Sequence, residues 1–314
     1  MTDVRHAVTV SATPETVYGL LADTTLWPVN FPPTVHVEQL ERDAEAERIR
    51  IWAVAGDTVK TWTSRRELDP EGLRITFRQE VSQPPVAAMS GAWILQPLPD
   101  GGTEVVLEHT YRAIDDAPDA LTWIADVTDR NSRSELANLK ALAEQSTDRA
   151  ELRLTFEDTI VVDGEATEVY DFLYRAGEWP DRLPHVSRMD LTEDEPGVQI
   201  MEMDTITADG AMHTTKSVRV CFADERIVYK QVVVPPLMTA HTGEWHVSAV
   251  RGGVAVTSRH TVAIRPEAVA GVLGEGATVA DAREFARTAL SGNSRITLEH
   301  AKAFAENNTI GSQV

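Results

Sequence analysis

Hydrophobic and polar positions follow the same order twice along this chain. In the first half, the alternating segment Ala7 to Val10 predicts a strand, and apolar residues at helical spacing after Thr13-Pro14 predict a short helix. Six further alternating segments, separated by turn residues, predict an antiparallel sheet. They are Val35 to Leu40, Arg48 to Val54, Lys60 to Leu68, Leu73 to Glu80, Ala92 to Gln96 and Glu104 to Tyr111. An amphipathic pattern from about Asp119 to Gln145 then predicts one long helix.

The second half repeats this order, and in places it repeats the residues themselves. The stretch from Val8 to Pro28 returns as Ile160 to Pro180 without a gap, and the long helix returns over roughly Ala280 to Glu306. Shorter motifs recur at a similar offset: Ser64-x-Arg66 with Ser217-x-Arg219, Gly91-x-Trp93 with Gly243-x-Trp245, and His109-Thr110 with His260-Thr261. A period of about 150 residues is a whole domain, since solenoid repeats run roughly 20 to 50. We therefore predict two tandem domains, residues 1–148 and 149–314.

The long helix of each half constrains the fold. Because it is apolar along one stripe, the sheet must curve around it to bury that stripe. The order of elements therefore predicts an α+β fold in each half. The space between sheet and helix is either an internal cavity or is filled by side chains, and the sequence leaves both open.

Composition and charge argue against several classes of function and location. The chain has 314 residues, 42% of them hydrophobic, and a formal net charge of -20. This charge argues against non-specific binding of nucleic acid or anionic membranes, since phosphate contacts need clustered Lys and Arg. No apolar run reaches the roughly 18 residues that span a bilayer, and the N-terminus lacks a signal-peptide pattern, so we expect a cytoplasmic protein. Cys221 is the only cysteine, which excludes an intramolecular disulfide.

The segment Lys60 to Leu68 carries the first candidate catalytic residue. Period-two alternation places Trp62, Ser64, Arg66 and Leu68 on one face, which the apolar members turn inward. A buried guanidinium cannot shed its proton. Arg66 therefore needs either a carboxylate partner or a polar, wet pocket.

The equivalent strand of the second half gives a conflicting pattern. Hydropathy alone would turn Val218 and Val220 inward, whereas the register of the repeat places His213, Ser217 and Arg219 on the inner face. We follow the repeat, so Arg219 is the second candidate catalytic arginine. Buried polar groups of this kind mark functional sites or satisfied networks.

Aromatic and histidine residues supply further candidates for a substrate pocket. Each also has an ordinary structural reading, as a core plug, a hydrogen-bonded sheet histidine or an exposed loop residue. His185 lies in the loop after the second Trp-Pro. The candidate pocket residues are Trp27, Trp62, Trp93, Trp179, Trp245, His109 and His260.

Several familiar chemistries have no motif in this chain. It contains no P-loop, no glycine-rich dinucleotide fingerprint after a strand, no His-Glu-x-x-His and no nucleophile elbow. His241 and His246 have no neighbouring cluster of ligands in the sequence, so we predict no metal site. We expect chemistry without a cofactor.

The sequence resembles a known family at the motifs just described. The segment Trp27-Pro-Val-Asn-Phe-Pro-Pro-Thr-Val-His-Val37, the strand Trp62-Thr-Ser-Arg-Arg66 and the tandem order are similar to the two-domain aromatase/cyclases of bacterial type II polyketide synthesis. The resemblance implies a START/Bet v 1-like helix-grip fold with a pocket under the long helix. It also implies a poly-β-ketone substrate, reduced or unreduced, that is free or bound to an acyl carrier protein. Other expected partners are the ketosynthase/chain-length factor and a ketoreductase.

The implied reaction is closure of the first ring between carbon 7 and carbon 12, dehydration of that ring, or both. Arg66 matches the pocket arginine of the single-domain relatives, and Arg219 matches it through the repeat. The chain departs from the pattern where relatives carry a pocket tyrosine, because Thr34 and Val186 stand there. It departs again at Glu135 and Thr297, where a helix asparagine is expected. Candidate proton relays are Ser64, Ser217, His185 and His213.

Two other functional hypotheses stay open at this point. The same cavity could serve a non-catalytic carrier of a lipid or polyphenol, because this fold hosts both functions. Alternatively, one copy catalyses while the other binds or supports the structure. The sequence does not choose between the two pockets.

Overall fold

The computed structural model describes residues 1–145, 149–206 and 212–311, with side chains up to residue 307. The chain separates into two compact units, Met1–Ser146 and Thr147–Val314, which are called the N-terminal and C-terminal domains below. Within the described residues, no helix is long and apolar enough to cross a membrane.

The N-terminal domain has the predicted order of elements. Its helices are α1 (Pro14–Ala22), α2 (Trp27–Asn30) and α3 (Pro118–Ala143). Its strands are β1 (Thr2–Val10), β2 (Thr34–Arg42), β3 (Ala46–Ala55), β4 (Thr58–Asp69), β5 (Arg74–Val81), β6 (Val86–Pro97) and β7 (Thr103–Ala113). They form one antiparallel sheet of seven strands in the order β1-β7-β6-β5-β4-β3-β2.

The C-terminal domain repeats this topology. Its strands are β8 (Arg153–Val162), β9 (Val186–Glu195), β10 (Val198–Ile206), β11 (Met212–Phe222), β12 (Arg226–Val233), β13 (Met238–Val250) and β14 (Gly253–Ile264). Its helices are α4 (Arg149–Leu152), α5 (Ala166–Tyr174), α6 (Trp179–Arg182), α7 (Val269–Leu273) and α8 (Val279–Gly311). The sheet order is β8-β14-β13-β12-β11-β10-β9, so the second sheet also has seven strands.

Local sequence explains the main boundaries. Helix α1 begins after Thr13, whose hydroxyl accepts the backbone N–H of Thr16 at 3.4 Å, and Pro14 occupies the first turn. Strand β1 begins at Thr2, five residues before the predicted start. Its outer residues alternate too weakly to be recognised alone, but they pair without interruption with β7, from Thr2 with Tyr111 onward.

The core of each domain lies between the sheet and the long helix. In the N-terminal domain, α3 buries Leu136 and Leu139 in one apolar cluster with Trp93, and Ile124 in a second cluster with Tyr111. The predicted α+β arrangement, a sheet packed around one long C-terminal helix, is confirmed in both copies.

The repeated Gly-x-Trp motif marks a close contact between strands. A Cβ atom on Gly91 would lie 1.9 Å from the carbonyl oxygen of Glu108 and 2.5 Å from the Phe77 ring. A Cβ atom on Gly243 would lie 2.2 Å from Cζ of Tyr229. In both domains an aromatic ring from the neighbouring strand therefore packs directly over the glycine. A side chain at the glycine position would collide with that ring.

We expect Gly91→Ala to destabilise the N-terminal domain by about 2 to 3 kcal/mol, because backbone and ring must both shift to admit the methyl group. Thermal unfolding followed by circular dichroism measures the loss. Gly19→Ala is the control, since it adds a methyl group to α1 with no atom within 4 Å. That change should leave stability equal or higher, because Ala is the better helix former. Equal melting temperatures for the two variants would contradict the steric explanation.

Candidate active sites in the two domains

A cavity of about 130 Å³ lies between the sheet and α3 of the N-terminal domain. The sheet contributes Lys60, Trp62 and His109 to its wall. The α3 side contributes Asn131, Ser132 and Glu135. The remaining lining is mainly apolar: Ala53, Val54, Ala55, Pro84, Pro85, Val86, Met89, Trp123, Ile124 and Val127. The space beneath the long helix is thus a true cavity in this domain.

His109 is held in this cavity as a neutral base. Its ring meets Phe77 edge-on, with 5.4 Å between centroids, and Nδ1 has no hydrogen-bond partner among the described residues. Burial, helped by the nearby His6, lowers the pKa of His109 to about 4. The imidazole is therefore uncharged at neutral pH and able to accept a proton.

Glu135 projects from α3 into the same cavity. Burial raises the pKa of this carboxyl to about 7, with no contribution from a neighbouring charge. Both protonation states are consequently populated near neutral pH, which is the condition under which a carboxyl transfers protons efficiently. The position is one where the resemblance implied asparagine, so the departure noted in the sequence places an acid in the pocket.

Arg66 does not line the cavity, and the fold holds its guanidinium through Nη1 and Nη2, whereas Nε has no hydrogen-bond partner in the described part of the chain. Its side chain forms a buried ion pair with Glu47 through Nη1, and Nη2 donates to the carbonyl oxygen of Leu21 at 2.6 Å. The guanidinium also lies 4.6 Å from the centre of the Trp27 ring. Burial lowers the pKa of Arg66 to about 10, which leaves it charged at neutral pH. Of the two environments expected for this arginine, the carboxylate partner is the one observed.

The residues around Arg66 are likewise occupied. Glu47 is fully buried and also accepts Nε2 of Gln39 at 2.9 Å. Ser64, predicted to be a proton relay, donates instead to the carbonyl oxygen of Arg78 at 3.0 Å. Trp27 donates its indole N–H to the carbonyl of Leu21 at 3.2 Å. Their contacts are structural, and the catalytic role of Arg66 and Ser64 stays a prediction.

The C-terminal domain keeps this arginine but changes its partner. Arg219 donates through Nη2 to the carbonyl of Leu173 on α5 and lies 5.5 Å from the Trp179 ring, so it points inward as the repeat predicted. Gln199 occupies the place of Glu47, directly across the strand pair. Nε and Nη1 of Arg219 and Oε1 of Gln199 are buried without a hydrogen-bond partner in the described part of the chain. Burial lowers the pKa of Arg219 from its ordinary value.

His260 of the C-terminal domain lies in a hydrogen-bond network. Its Nδ1 is 3.0 Å from Nε2 of His241 and 3.2 Å from the Tyr229 hydroxyl. Its Nε2 is 2.6 Å from Oγ of Ser294, on α8, and 3.1 Å from Oγ of Ser258. Every nitrogen of this imidazole therefore has a partner, unlike Nδ1 of His109.

The equivalent arginine and histidine thus have different hydrogen-bond partners in the two domains. In the N-terminal domain the arginine is neutralised and the histidine lines a cavity. In the C-terminal domain the arginine keeps two free donors and the histidine is fully bonded. The residues around each histidine explain why His109 is unbonded and His260 is bonded. The strand register is the same in both sheets, and at the equivalent positions the N-terminal domain has Phe77, Met89 and Leu107 where the C-terminal domain has Tyr229, His241 and Ser258.

Comparison with known proteins agrees with this doubled architecture. A family model described as "Polyketide cyclase / dehydrase and lipid transport" matches residues 1–144 and again residues 153–306. The chain belongs to this family. The bifunctional cyclase/dehydratase of the actinorhodin polyketide synthase from Streptomyces coelicolor is 49% identical over 312 residues, covering 96% of each chain. The corresponding granaticin protein from Streptomyces violaceoruber is 46% identical over 302 residues, covering 96% of this chain and 93% of its own.

Solved structures show the same similarity to polyketide cyclases. The crystal structure of the di-domain ARO/CYC BexL, from the BE-7585A biosynthetic pathway, has a TM-score of 0.84 at 52% identity and covers 98% of this chain and 99% of that one. The di-domain ARO/CYC StfQ, from the steffimycin pathway, has a TM-score of 0.83 at 39% identity with the same coverage. The resemblance to two-domain aromatase/cyclases is therefore confirmed, together with the tandem helix-grip fold that it implied.

Some predicted pocket residues of this polyketide cyclase lie elsewhere. Trp93 and Trp245 are 5% and 7% exposed and belong to the apolar clusters of their domains, so they fill the core. Trp179 is also a core residue, with its indole N–H donated to Phe172 at 3.1 Å. Of the predicted tryptophans, Trp62 lines the N-terminal cavity.

The predicted relay residues of the C-terminal domain are also dispersed. His213 is exposed at the start of β11, because the inner face of that strand becomes buried only from Ser217 onward. His185 is half-buried, and burial together with His300 lowers its pKa. Ser217 is buried beside Arg219 along β11. Neither histidine belongs to the network around His260.

Five residues of these sites are not predicted from the sequence. Glu135 is visible there only as a departure from the family pattern, and nothing in the sequence groups Tyr229, His241, Ser258 and Ser294 with His260. One usable signal was present: Gly91 and Gly243 fix the alignment of the sheets, and the residues around them can be compared position by position.

We expect Glu47→Ala to destabilise the N-terminal domain by about 3 to 5 kcal/mol, because it leaves the Arg66 guanidinium buried without its counter-charge. Gln199→Ala in the C-terminal domain is the matched control and should cost less, since Arg219 makes no hydrogen bond to Gln199. Urea unfolding of both variants measures the difference. A larger loss for Gln199→Ala would show that the ion pair contributes little.

Glu135→Gln should stabilise the protein above neutral pH and have little effect near pH 5. The folded carboxyl, with a pKa of about 7, binds protons more tightly than the unfolded one, whose ordinary value is 4.5. The stability of the wild type therefore falls, relative to the Gln variant, as pH rises from about 4.5 to 7. Melting temperatures at pH 5 and pH 8.5 test the sign, with Asp119→Asn, an exposed carboxyl in the first turn of the same helix, as control. A difference that grows toward low pH would contradict the assignment.

Proposed function

We propose that this protein closes the first ring of a poly-β-ketone and dehydrates that ring to an aromatic one, without a cofactor. The description of its family names polyketide cyclase and dehydrase activities together with lipid transport, and the relatives are bifunctional cyclase/dehydratases. One observation supports the proposal most directly: a neutral imidazole, His109, and a carboxyl of near-neutral pKa, Glu135, face one largely apolar cavity.

The size of the cavity suits a single ring. Apolar cavities of about 150 Å³ accommodate benzene. The N-terminal cavity, at about 130 Å³, is of similar volume. A site of this size would hold the ring that is being formed and leave the rest of the polyketide outside. Fixing a flexible chain so that carbon 7 meets carbon 12 converts a rare encounter into a local one, which lowers the entropic barrier.

Dehydration uses the two ionisable groups in complementary roles. His109 removes the proton from the carbon beside the carbonyl group, and the electrons of that C–H bond form the new double bond. Glu135, in its protonated form, donates its proton to the hydroxyl group, whose C–O bond breaks to release water. Transfer of the proton from imidazolium to carboxylate restores both groups. General acid–base catalysis of this kind typically contributes 10²- to 10⁴-fold.

The relatives' names support the wider setting. They are components of polyketide synthases, so a ketosynthase/chain-length factor and a ketoreductase would act on the chain before this protein. The substrate would arrive on an acyl carrier protein or free, and the cytoplasmic location predicted from the sequence would place it beside these enzymes. A net charge of -20 means that an acidic carrier protein would need a locally basic surface on which to dock.

A reconstituted minimal synthase with ketoreductase tests the proposal. Wild-type protein should shift the products from shunt compounds to one aromatised first ring. His109→Leu and Glu135→Gln should each lower formation of that product by at least about 100-fold, because each removes one of the two proton-transfer groups. Glu144→Gln should match the wild type. An unchanged product profile with wild-type protein, together with retained binding of planar polyphenols, would instead identify a carrier.

A further inference from the structure

The network around His260 is buried except at one end. His260, Ser258, His241 and Ser294 are 2%, 0%, 4% and 5% exposed. Tyr229, the remaining member, keeps part of its surface accessible on the inner face of β12. Of these five residues, Tyr229 is therefore the one that a bound molecule could contact.

The contact between the two imidazoles is a head-on hydrogen bond. The nitrogens are 3.0 Å apart and the ring centroids 5.3 Å, with an interplanar angle of 29°. The difference between these two distances equals the distance from nitrogen to ring centre, counted once for each ring. The two nitrogens therefore lie on the line between the ring centres and point at each other. This distance is that of a hydrogen bond with one proton between the two nitrogens.

The opposite nitrogen of His260 continues the path. Ser294 Oγ, at 2.6 Å from Nε2, can donate or accept a proton, as can Ser258. Burial lowers the pKa of His260 to about 4 and that of His241 to about 3, so both rings are neutral. A neutral imidazole that takes a proton on one nitrogen and releases one from the other changes tautomer without acquiring charge. These contacts allow His260 to carry its proton on Nδ1, facing the Tyr229 oxygen.

Arg219 lies beside the phenol. It pairs with Tyr229 across β11 and β12, and its Nε and Nη1 donors have no partner in the described part of the chain. Burial raises the pKa of Tyr229, and the positive charge of Arg219 opposes that shift. Two free donors next to a neutral phenol can hold an oxygen atom on which negative charge develops.

We propose that Tyr229 is the proton donor of a second site, in the C-terminal domain, where Arg219 binds the carbonyl oxygen of a β-hydroxy ketone. This inference rests on the proposed function. Tyr229 protonates the departing hydroxyl group, and the C–O bond breaks to release water. The electrons of the adjacent C–H bond form the double bond, and that proton passes to the phenolate oxygen. His260, with its proton on Nδ1, stabilises the phenolate until this happens.

The N-terminal domain cannot form the same site. Phe77 has no hydroxyl group, and Arg66 is neutralised by Glu47. The resemblance implied a pocket tyrosine, and its expected position in the C-terminal domain holds Val186. Tyr229 supplies a phenol from a different strand, next to the arginine that is free.

Tyr229→Phe is the decisive variant, because it keeps the ring above Gly243 and reproduces the N-terminal residue. Dehydration of the β-hydroxy intermediate should slow about 100-fold, with the melting temperature within a few degrees of wild type. Tyr18→Phe is the matched control and should leave the rate unchanged, because it removes a phenol hydroxyl that has no hydrogen-bond partner among the described residues. His241→Met, which installs the N-terminal counterpart, should slow the reaction less, because it removes one hydrogen bond to His260 without removing the donor.

Two results would overturn the inference, and neither depends on the proposed function alone. If wild-type protein is active and Tyr229→Phe is equally active, Tyr229 is not the donor. If wild-type protein is inactive, binding of 1,3-dihydroxynaphthalene, an enolisable phenol, is measured by tryptophan fluorescence. Weakening by about fivefold in Tyr229→Phe, equivalent to one hydrogen bond of about 1 kcal/mol, would retain the site and reject the enzyme. Equal affinity would reject the site as well.

Discussion

Each domain depends on one buried arginine that joins the sheet to its first helix. Arg66 reaches the carbonyl of Leu21 and Arg219 that of Leu173, in the last turn of α1 and α5. Carbonyl groups there have no partner within the helix, and the helix dipole favours a positive charge. The guanidinium cannot lose its proton, so the fold must accommodate a charge whose burial is costly. The surrounding residues are constrained by that requirement.

The two domains meet the requirement differently, and their chemistry follows from the difference. Glu47 neutralises the charge of Arg66 and occupies its Nη1 donor. With Gln199 in that place, Arg219 has no carboxylate directly across the strand pair, although the charge of Glu193 acts on it from farther away. The histidine differs the other way: the N-terminal one has the unpaired nitrogen. Nδ1 of His109 has no hydrogen-bond partner in the described part of the chain, because its neighbours are apolar, whereas polar neighbours form hydrogen bonds to both nitrogens of His260.

The sequence was sufficient for the fold because two patterns can be read from it directly. Alternation of apolar and polar residues predicts the strands, and the repeat of about 150 residues predicts two copies of one domain. The sequence predicted each strand of the first sheet, the long helix and the inward orientation of Arg219, which hydropathy alone would have reversed. It could not identify Glu47 as the partner of Arg66, because that pairing depends on strand register. The pKa of Glu135 depends on burial, and the contacts of His260 join three strands and a helix. None of these is encoded in local spacing.

Duplication of the fold separates two groups that would inactivate each other in one cavity. The pKa of the Glu135 carboxyl is raised by burial, without an opposing contribution from a cation. An unpaired guanidinium such as Arg219 in the same cavity would form an ion pair with it, lowering the pKa of the carboxyl and occupying its own donors. With one group in each domain, the carboxyl keeps its near-neutral pKa, and Nε and Nη1 of the arginine stay without a partner among the described residues. The tandem arrangement therefore permits two electrostatic environments that a single helix-grip domain could not hold together.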